Sequence, residues 1–231
     1  MKYAEVIKGE FLSRPNRFIA KVKIEDEIHT VHVKNTGRCK ELLVPNCTVY
    51  LAVADNPNRK TKYDLIGVEK VRNCGDILLI NMDSQIVNAA AEEWLKKGEL
   101  FGKDAVIRRE VTFGKSRFDF YIESENRKIF LEVKGVTLEN DGIASFPDAP
   151  TERGIKHIKE LITCCNNGYV SYILFVIQMK GVTEFTPNDI THKAFGDALR
   201  EAQKSGVKII AMDSVITPNS IEIDQKIKIT L

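Results

Sequence analysis

An aspartate, a glutamate and a lysine stand next to apolar residues in the stretch Phe118 to Gly135, FDFYIESENRKIFLEVKG. Asp119 and Glu132 are carboxylates, and Lys134 carries an ammonium group. The apolar residues alternate as in two β-strands joined by the short linker SENRK, so the strands can pair as a hairpin. Because side chains two positions apart share a face of a strand, we expect Asp119, Glu132 and Lys134 to lie together on one face.

Such a pair of carboxylates has a specific chemical use. Neighbouring carboxylates repel each other unless a cation lies between them. Mg²⁺ and Mn²⁺ bind oxygen ligands of this kind while keeping some of their waters. A metal held by Asp119 and Glu132 can activate a phosphodiester and a water, and Lys134 can orient that water or neutralise charge on the phosphate. The alternative is a salt-bridge network on the solvated face of an edge hairpin.

Other polar residues are candidates for the same site. Glu110 precedes Asp119 by nine residues and is expected either to add a carboxylate or to pair with a nearby basic residue. Gln178 ends the apolar run YILFVIQ, where polar residues often face ligands. Arg117 is expected on the face of Asp119, as a nucleic-acid contact.

A helix over TERGIKHIKELITCC is expected to contribute phosphate contacts. Its apolar residues have helical spacing. Arg153, Lys156 and His157 are placed on the opposite, polar face, where Arg153 and His157 are i, i+4 neighbours able to hold a phosphate. The alternative is an ordinary solvated helix face.

The first 82 residues read as short strands separated by turns. The strands are expected in RFIAKVKIE, EIHTVHVKN, CTVYLAVAD, YDLIGVEKV and DILLINM. Five strands in this length suit a small oligonucleotide-binding (OB) barrel, and other small barrels, including SH3-like ones, would give a similar pattern. Its candidate nucleic-acid contacts are Arg14, Arg17, Asn35, Thr36 and Arg38, the last three in a turn that a plain hairpin would also explain.

From Ser84, taken as a helix cap, the predicted order is helix, three strands, helix, strand, helix, strand. The sequence therefore predicts an α+β or mixed chain: a five-stranded OB-like barrel over residues 1–82, then an αβββαβ α/β domain over residues 83–231.

Composition narrows the class of protein. The chain has 231 residues, a formal net charge of +2 and 43% hydrophobic residues, the balance of an ordinary globular protein. Five cysteines without paired Cys/His spacing support neither a disulfide framework nor a zinc site. With no long apolar run and no signal peptide, we expect a cytoplasmic protein without a membrane partner. The oligomeric state is left open.

Longer stretches resemble a known family. Asp119 followed by Glu132-x-Lys134 in this element order is similar to the PD-(D/E)xK nuclease superfamily, except that Phe118 stands where the motif has proline. The stretches HVKNTGRCKELL, SRFDFYIE, EVKGVTLE and FPDAPTERGIKHIKEL resemble the sugar fermentation stimulation protein A (SfsA) family over nearly the whole chain.

This resemblance implies an OB barrel, a restriction-endonuclease-like domain and DNA as the partner. It also implies that Asp119 and Glu132 are metal ligands and that Lys134 is the catalytic lysine of a Mg²⁺- or Mn²⁺-dependent nuclease. Two alternatives stay open. One is a DNA-binding regulator of sugar, chiefly maltose, metabolism that performs no chemistry, and the other is a metal- or anion-binding module unrelated to nucleic acid.

Overall fold

The computed structural model of the chain describes residues 1–35, 37–56 and 58–231. Its N-terminal part is built from six strands. They are β1 (Val6–Asn16), β2 (Ile19–Ile24), β3 (Glu27–Val33), β4 (Thr48–Val53), β5 (Tyr63–Val71) and β6 (Ile77–Asn81).

Strands β1 to β5 close into a barrel. Their order is β3-β2-β1-β4-β5, and a short parallel pairing of β3 with β5, at His32–Asp64 and Val33–Leu65, joins the two ends. Strand β6 pairs only with β5 and lies outside the closure. The predicted five-stranded OB-like barrel is therefore confirmed, but its predicted strands were partly wrong.

The missed strand is β1, and DILLINM was wrongly counted in its place. Strand β1 contains Pro15 and charged residues, and its register with β2 shifts twice, so it lacks a clean alternation. Gly9 in its middle allows close packing, because a Cβ there would lie 2.6 Å from Val22 Cγ1.

A short linker connects the barrel to the first helix, α1 (Ile86–Lys96). The cap predicted at Ser84 was wrong. Asp83 Oδ1 accepts the backbone N–H groups of Gln85 and Ile86, whereas the Ser84 hydroxyl donates to the carbonyl of Lys34 in the barrel. Asp83 therefore binds the N–H groups at the start of the helix, and Ser84 links this segment to the barrel.

The rest of the chain forms the α/β domain. Its further elements are β7 (Val106–Phe113), β8 (Ser116–Ser124), β9 (Arg127–Val136), β10 (Leu138–Asn140), β11 (Ile143–Phe146), α2 (Glu152–Asn166), β12 (Val170–Ile177), β13 (Glu184–Pro187), α3 (Asp189–Lys204), β14 (Lys208–Thr217), β15 (Ser220–Lys226) and β16 (Lys228–Ile229).

The main sheet of this domain has the order β15-β14-β12-β9-β8-β7, with β9, β12 and β14 parallel. Strand β12 is central and almost wholly buried, as its continuous apolar run predicts. The short strands β10, β11, β13 and β16 form a separate small sheet and, like β15, were not predicted. The predicted α/β class is confirmed.

Two apolar clusters cover the faces of the main sheet. Helix α1 packs on one face, against alternate residues of β8, β9 and β12. Helices α2 and α3 pack on the other, and the cluster on that side continues into the interior of the barrel. One connected core thus holds the barrel against the sheet that carries the charged hairpin.

Within the described ranges, no helix is both long and apolar enough to cross a membrane.

Candidate active site

Strands β8 and β9 separate at Asp119. Their backbone pairing ends at Phe120–Leu131, and beyond it the Asp119 carboxylate accepts the N–H of Val133 at 2.7 Å. Phe118 packs on the opposite side of the sheet from Phe120, so the regular alternation of β8 is interrupted at Asp119. At this break, the Asp119 carboxylate accepts the Val133 N–H in place of the backbone carbonyl that a regular ladder would provide.

Strand β7 is irregular at the same level. Glu110 has a left-handed backbone, with φ of 55°, and its neighbours in β7 pair with Phe118 and Phe120 on either side of Asp119. The Glu110 carboxylate lies 3.3 Å from Arg117 Nη1, and both side chains are exposed. Glu110 thus pairs with a basic neighbour at the cavity entrance.

Glu132 is the most deeply placed charge of the site, with 3% of its surface exposed. Its Oε1 accepts a hydrogen bond from Lys134 Nζ at 2.6 Å and contacts His157 Nδ1. Its Oε2 is buried and has no hydrogen-bond donor among the residues that the structure describes. Glu132 therefore has one oxygen held by the protein and one left for another ligand.

Asn88 on α1 holds the other carboxylate. Its Nδ2 donates to Asp119 Oδ1 at 2.7 Å. The sequence analysis missed this residue. Ser84 and Asn88 are four residues apart and both line the cavity, so two polar residues one helical turn apart were the available signal.

The two carboxylates have opposite pKa shifts. Burial and the neighbouring charge of Glu132 raise the pKa of Asp119 above the usual aspartate range. Burial acts in the same direction on Glu132, but hydrogen bonds from His157 and the charge of Lys134 outweigh it and lower its pKa below the usual range. A cation beside Asp119 would relieve the repulsion that raises its pKa.

Helix α2 brings His157 behind Glu132. Thr151 caps this helix by accepting the N–H of Gly154 at 3.0 Å. His157 belongs to its buried face, with 6% of its surface exposed, so its predicted place on the polar face was wrong. Arg153 Nε donates to His157 Nε2 at 3.4 Å, and Arg153 itself is exposed beside the cavity.

Two predicted residues lie away from the cavity lining. Lys156 is exposed and donates to the carbonyl of Lys115 at 2.9 Å. Gln178 is 1% exposed and donates to Asn81 Oδ1 and to the carbonyl of Asp83. These two hydrogen bonds join the end of β12 to β6 and to the linker that follows β6.

The charged residues enclose a cavity of about 240 Å³. It is lined by Ser84, Val87, Asn88, Glu110, Arg117, Phe118, Asp119, Glu132, Val133, Lys134, Gly135, Arg153 and His157. The charge of Lys134 acts on both Asp119 and Glu132, and the described chain holds no ready-made cluster of three metal-ligating side chains. The cavity offers a pair of carboxylates with one lysine.

A second cavity, of about 380 Å³, lies on the barrel. Its lining includes Arg14, Arg17, Arg38 and Lys40. The Arg14 guanidinium donates to four carbonyl oxygens, those of Arg17, Asn35, Gly37 and Arg38. Arg14 thus holds the turn together, a role that the sequence analysis did not assign to it.

The same turn contacts the loop that precedes α2. The N–H of Gly37 donates to Asn35 Oδ1, and the N–H of Arg38 donates to Asp148 Oδ2 at 3.0 Å. Asn35 is buried, which limits it to this structural contact. Thr36, the remaining predicted contact of the turn, lies outside the described residues.

The fold and the cavity define a class: an OB barrel joined to an α/β domain that carries a paired-carboxylate site. Two family models divide the chain accordingly. One, described as the SfsA N-terminal OB domain, matches residues 12–79, and the other, described as the sugar fermentation stimulation protein RE domain, matches residues 85–220.

Relatives match over the whole length. A sugar fermentation stimulation protein homolog of Clostridium beijerinckii is 54% identical over 231 residues, all of both chains. One of Desulfitobacterium hafniense is 58% identical over 222 residues, 96% of this chain and 95% of its own. The solved structure of Pyrococcus furiosus SfsA in complex with Ca²⁺ has a TM-score of 0.85 at 28% identity and covers 100% of this chain and 98% of its own. The chain belongs to the SfsA family.

Proposed function

We propose that this protein binds DNA and hydrolyses its phosphodiester bonds with Mg²⁺ or Mn²⁺ at the cavity of Asp119, Glu132 and Lys134. The observation that carries the proposal is the buried Glu132 Oε2, which has no donor in the described chain and lies in a cavity shared with a second carboxylate. A buried carboxylate oxygen without a partner is costly unless something else binds it.

The donor set fits a hard divalent cation. Mg²⁺ is commonly bound by one or two carboxylates together with waters and substrate phosphates, which is the number of carboxylates that Asp119 and Glu132 provide. Burial first, and the nearby charge of Glu132 second, raise the pKa of Asp119, and a bound cation would favour its charged form. The Pyrococcus furiosus relative was solved with Ca²⁺, another oxygen-seeking divalent cation, which supports a metal site in this family.

The chain's own residues supply the remaining functions. A bound Mg²⁺ or Mn²⁺ would polarise a phosphoryl oxygen and lower the pKa of a water. Lys134 Nζ, now 2.6 Å from Glu132 Oε1, can donate to an attacking hydroxide or to a phosphate oxygen. Arg117 and Arg153 lie at the cavity edge, where guanidinium groups can hold the flanking phosphates.

The barrel is the proposed DNA-binding surface. Arg17, Arg38 and Lys40 line its cavity with positive charge, and the Arg17 guanidinium lies 4.7 Å from the ring centre of the exposed Phe18. Aromatic and guanidinium planes of this kind can stack on bases. The cytoplasm is the compartment proposed for this activity.

A second candidate is a DNA-binding regulator of sugar metabolism that performs no chemistry. One observation favours it: the charges of the cavity already satisfy one another in part, since Lys134 pairs with Glu132 and Asp119 accepts two hydrogen bonds. The family name, sugar fermentation stimulation protein, also favours a role in sugar metabolism.

Cleavage and binding measured on the same molecules separate these candidates. Labelled single- and double-stranded DNA and RNA are incubated with Mg²⁺, Mn²⁺ or EDTA. Wild type and Lys134→Ala are compared with Lys128→Ala, which removes an exposed lysine from the same strand. We expect metal-dependent cleavage by wild type and Lys128→Ala, and a loss of about 10²- to 10⁴-fold in Lys134→Ala. Salt-sensitive DNA binding without cleavage under every condition would instead establish the regulator.

A further inference from the structure

We propose that His157 is a positioning residue for Glu132: it holds Oε1 against the protein so that Oε2 faces the metal ion. This inference rests on the proposed function. Sequence reasoning placed His157 on a phosphate-binding surface, whereas the structure buries it behind Glu132.

The hydrogen bonds around the imidazole assign its tautomer. Arg153 Nε can only donate, so His157 Nε2, 3.4 Å away, must accept. A neutral imidazole has one acceptor and one donor nitrogen. The N–H therefore lies on Nδ1 and is directed at Glu132 Oε1.

The ring is fixed in this orientation by its surroundings. It lies on the buried face of α2, six residues after the Thr151 cap, and Phe118 packs edge-on against it with ring centres 6.2 Å apart. The donor thus comes from a rigid element on the side of Glu132 that faces the core.

Because Glu132 Oε1 has two donors, Lys134 is free to move without releasing the Glu132 side chain. If Lys134 Nζ were the only donor, its movement toward a water or phosphate would release the Glu132 side chain. His157 supplies a second bond to the same oxygen, so Lys134 can leave Oε1 while Oε2 keeps its direction. Groups that orient a metal ligand in this way typically change metal affinity by about 10- to 100-fold when they are removed.

Metal binding without substrate is the direct test. Isothermal titration calorimetry with Mn²⁺ compares wild type with His157→Phe, which keeps a planar ring but has no donor. His29→Phe, the same change at a half-buried residue of the barrel, is the matched control. We expect Mn²⁺ affinity to fall by about 10- to 100-fold in His157→Phe and to stay unchanged in His29→Phe.

Two conservative substitutions of His157 distinguish a role in positioning Glu132 from a role in packing. An asparagine at position 157 can place its amide N–H near the position of Nδ1, whereas a glutamine places its amide near Nε2. We expect His157→Asn to recover most of the Mn²⁺ affinity and His157→Gln to recover little, with similar thermal unfolding in EDTA. This pair also decides the matter if His157→Phe does not fold.

The outcomes for the two proposals are distinct. Equal Mn²⁺ affinity in wild type, His157→Phe and His157→Gln would overturn the role of His157. If Glu132→Ala still lost Mn²⁺ binding in that case, the proposed metal site would stand. Absence of both Mn²⁺ binding and cleavage in wild type would overturn the proposed function, and the role of His157 with it.

Discussion

The two cavities of this molecule hold their charges in different ways. In the α/β domain, the two inner carboxylates are each fixed by two donors: Asn88 and Val133 hold Asp119, and His157 and Lys134 hold Glu132. In the barrel, most of the charged side chains that line the cavity point into solvent, and the exception, Arg14, is bound to backbone carbonyls.

The two proposed tasks, catalysis and DNA binding, require charged groups to be held in these two different ways. Catalysis needs groups held within a fraction of an ångström, which requires support from packed helices and strands. Contact with a phosphate backbone needs positive charge whose position can vary. Four predictions test whether cleavage belongs to the α/β cavity and DNA binding to the barrel cavity.

The largest effect is expected for Glu132→Gln. This change removes the charge of a proposed metal ligand, which would be worth several kcal/mol in the transition state, and about 1.4 kcal/mol corresponds to a tenfold change in rate. We expect kcat/KM for cleavage to fall by at least about 10³-fold while DNA affinity in EDTA stays unchanged. Loss of DNA binding in parallel with cleavage would mean that the two cavities do not act separately.

The next effect concerns the stability of the barrel. Arg14→Ala leaves four carbonyl oxygens without their charged donor, and we expect the free energy of unfolding to fall by about 2 kcal/mol. Denaturant unfolding measures it. Arg17→Ala is the control, with an expected change within about 0.5 kcal/mol, because its guanidinium is exposed. Equal stability of the two variants would contradict the structural role of Arg14.

A third effect is the pH dependence of stability that arises from the two carboxylates of the α/β cavity. The raised pKa of Asp119 means that its charged form destabilises the fold, increasingly as the pH rises from the unfolded pKa through the folded one. Asp119→Asn should therefore stabilise the protein at neutral pH, with Asn88 turning its amide to accept. The gain should disappear below the ordinary aspartate pKa.

Glu132 should behave in the opposite way. Its lowered pKa contributes stability above the ordinary glutamate pKa, and this contribution is lost as the pH falls through the folded pKa. Glu132→Gln should therefore destabilise the protein at neutral pH, and thermal unfolding from pH 3 to pH 8 compares both variants. If both variants shift the stability at neutral pH in the same direction, the two carboxylates are not held differently.

The smallest effect is expected for DNA binding by Arg17→Ala. Removal of one phosphate contact should reduce the slope of log K against log salt concentration by about 1, with a similar weakening for all sequences. Fluorescence anisotropy at several salt concentrations measures this slope. An unchanged slope would place the DNA contacts elsewhere.

The sequence predicted those parts of the molecule that depend on local periodicity. Alternation placed Glu132 and Lys134 on one face of β9, and a continuous apolar run identified the central strand β12. Turn spacing predicted the barrel although β1, which contains Pro15 and register shifts, was missed.

The supporting contacts could not be predicted because they join distant segments. Asn88 and Asp119 are 31 residues apart, and His157 and Glu132 are 25 apart. A polar residue within a helix does not reveal whether its partner lies in solvent or on a neighbouring strand. The break in β8 at Asp119 likewise depends on pairing with both neighbours, which a single strand's alternation does not report.

We propose that a divalent ion held by Asp119 and Glu132 is required for phosphodiester cleavage. The most direct test is the initial rate of DNA cleavage at increasing Mg²⁺ concentration, for wild type and for Asp119→Asn. The account predicts a saturable rise for wild type, abolished by EDTA, and no detectable cleavage by a folded Asp119→Asn. Equal cleavage by both proteins, or wild-type cleavage that persists in EDTA, would contradict it.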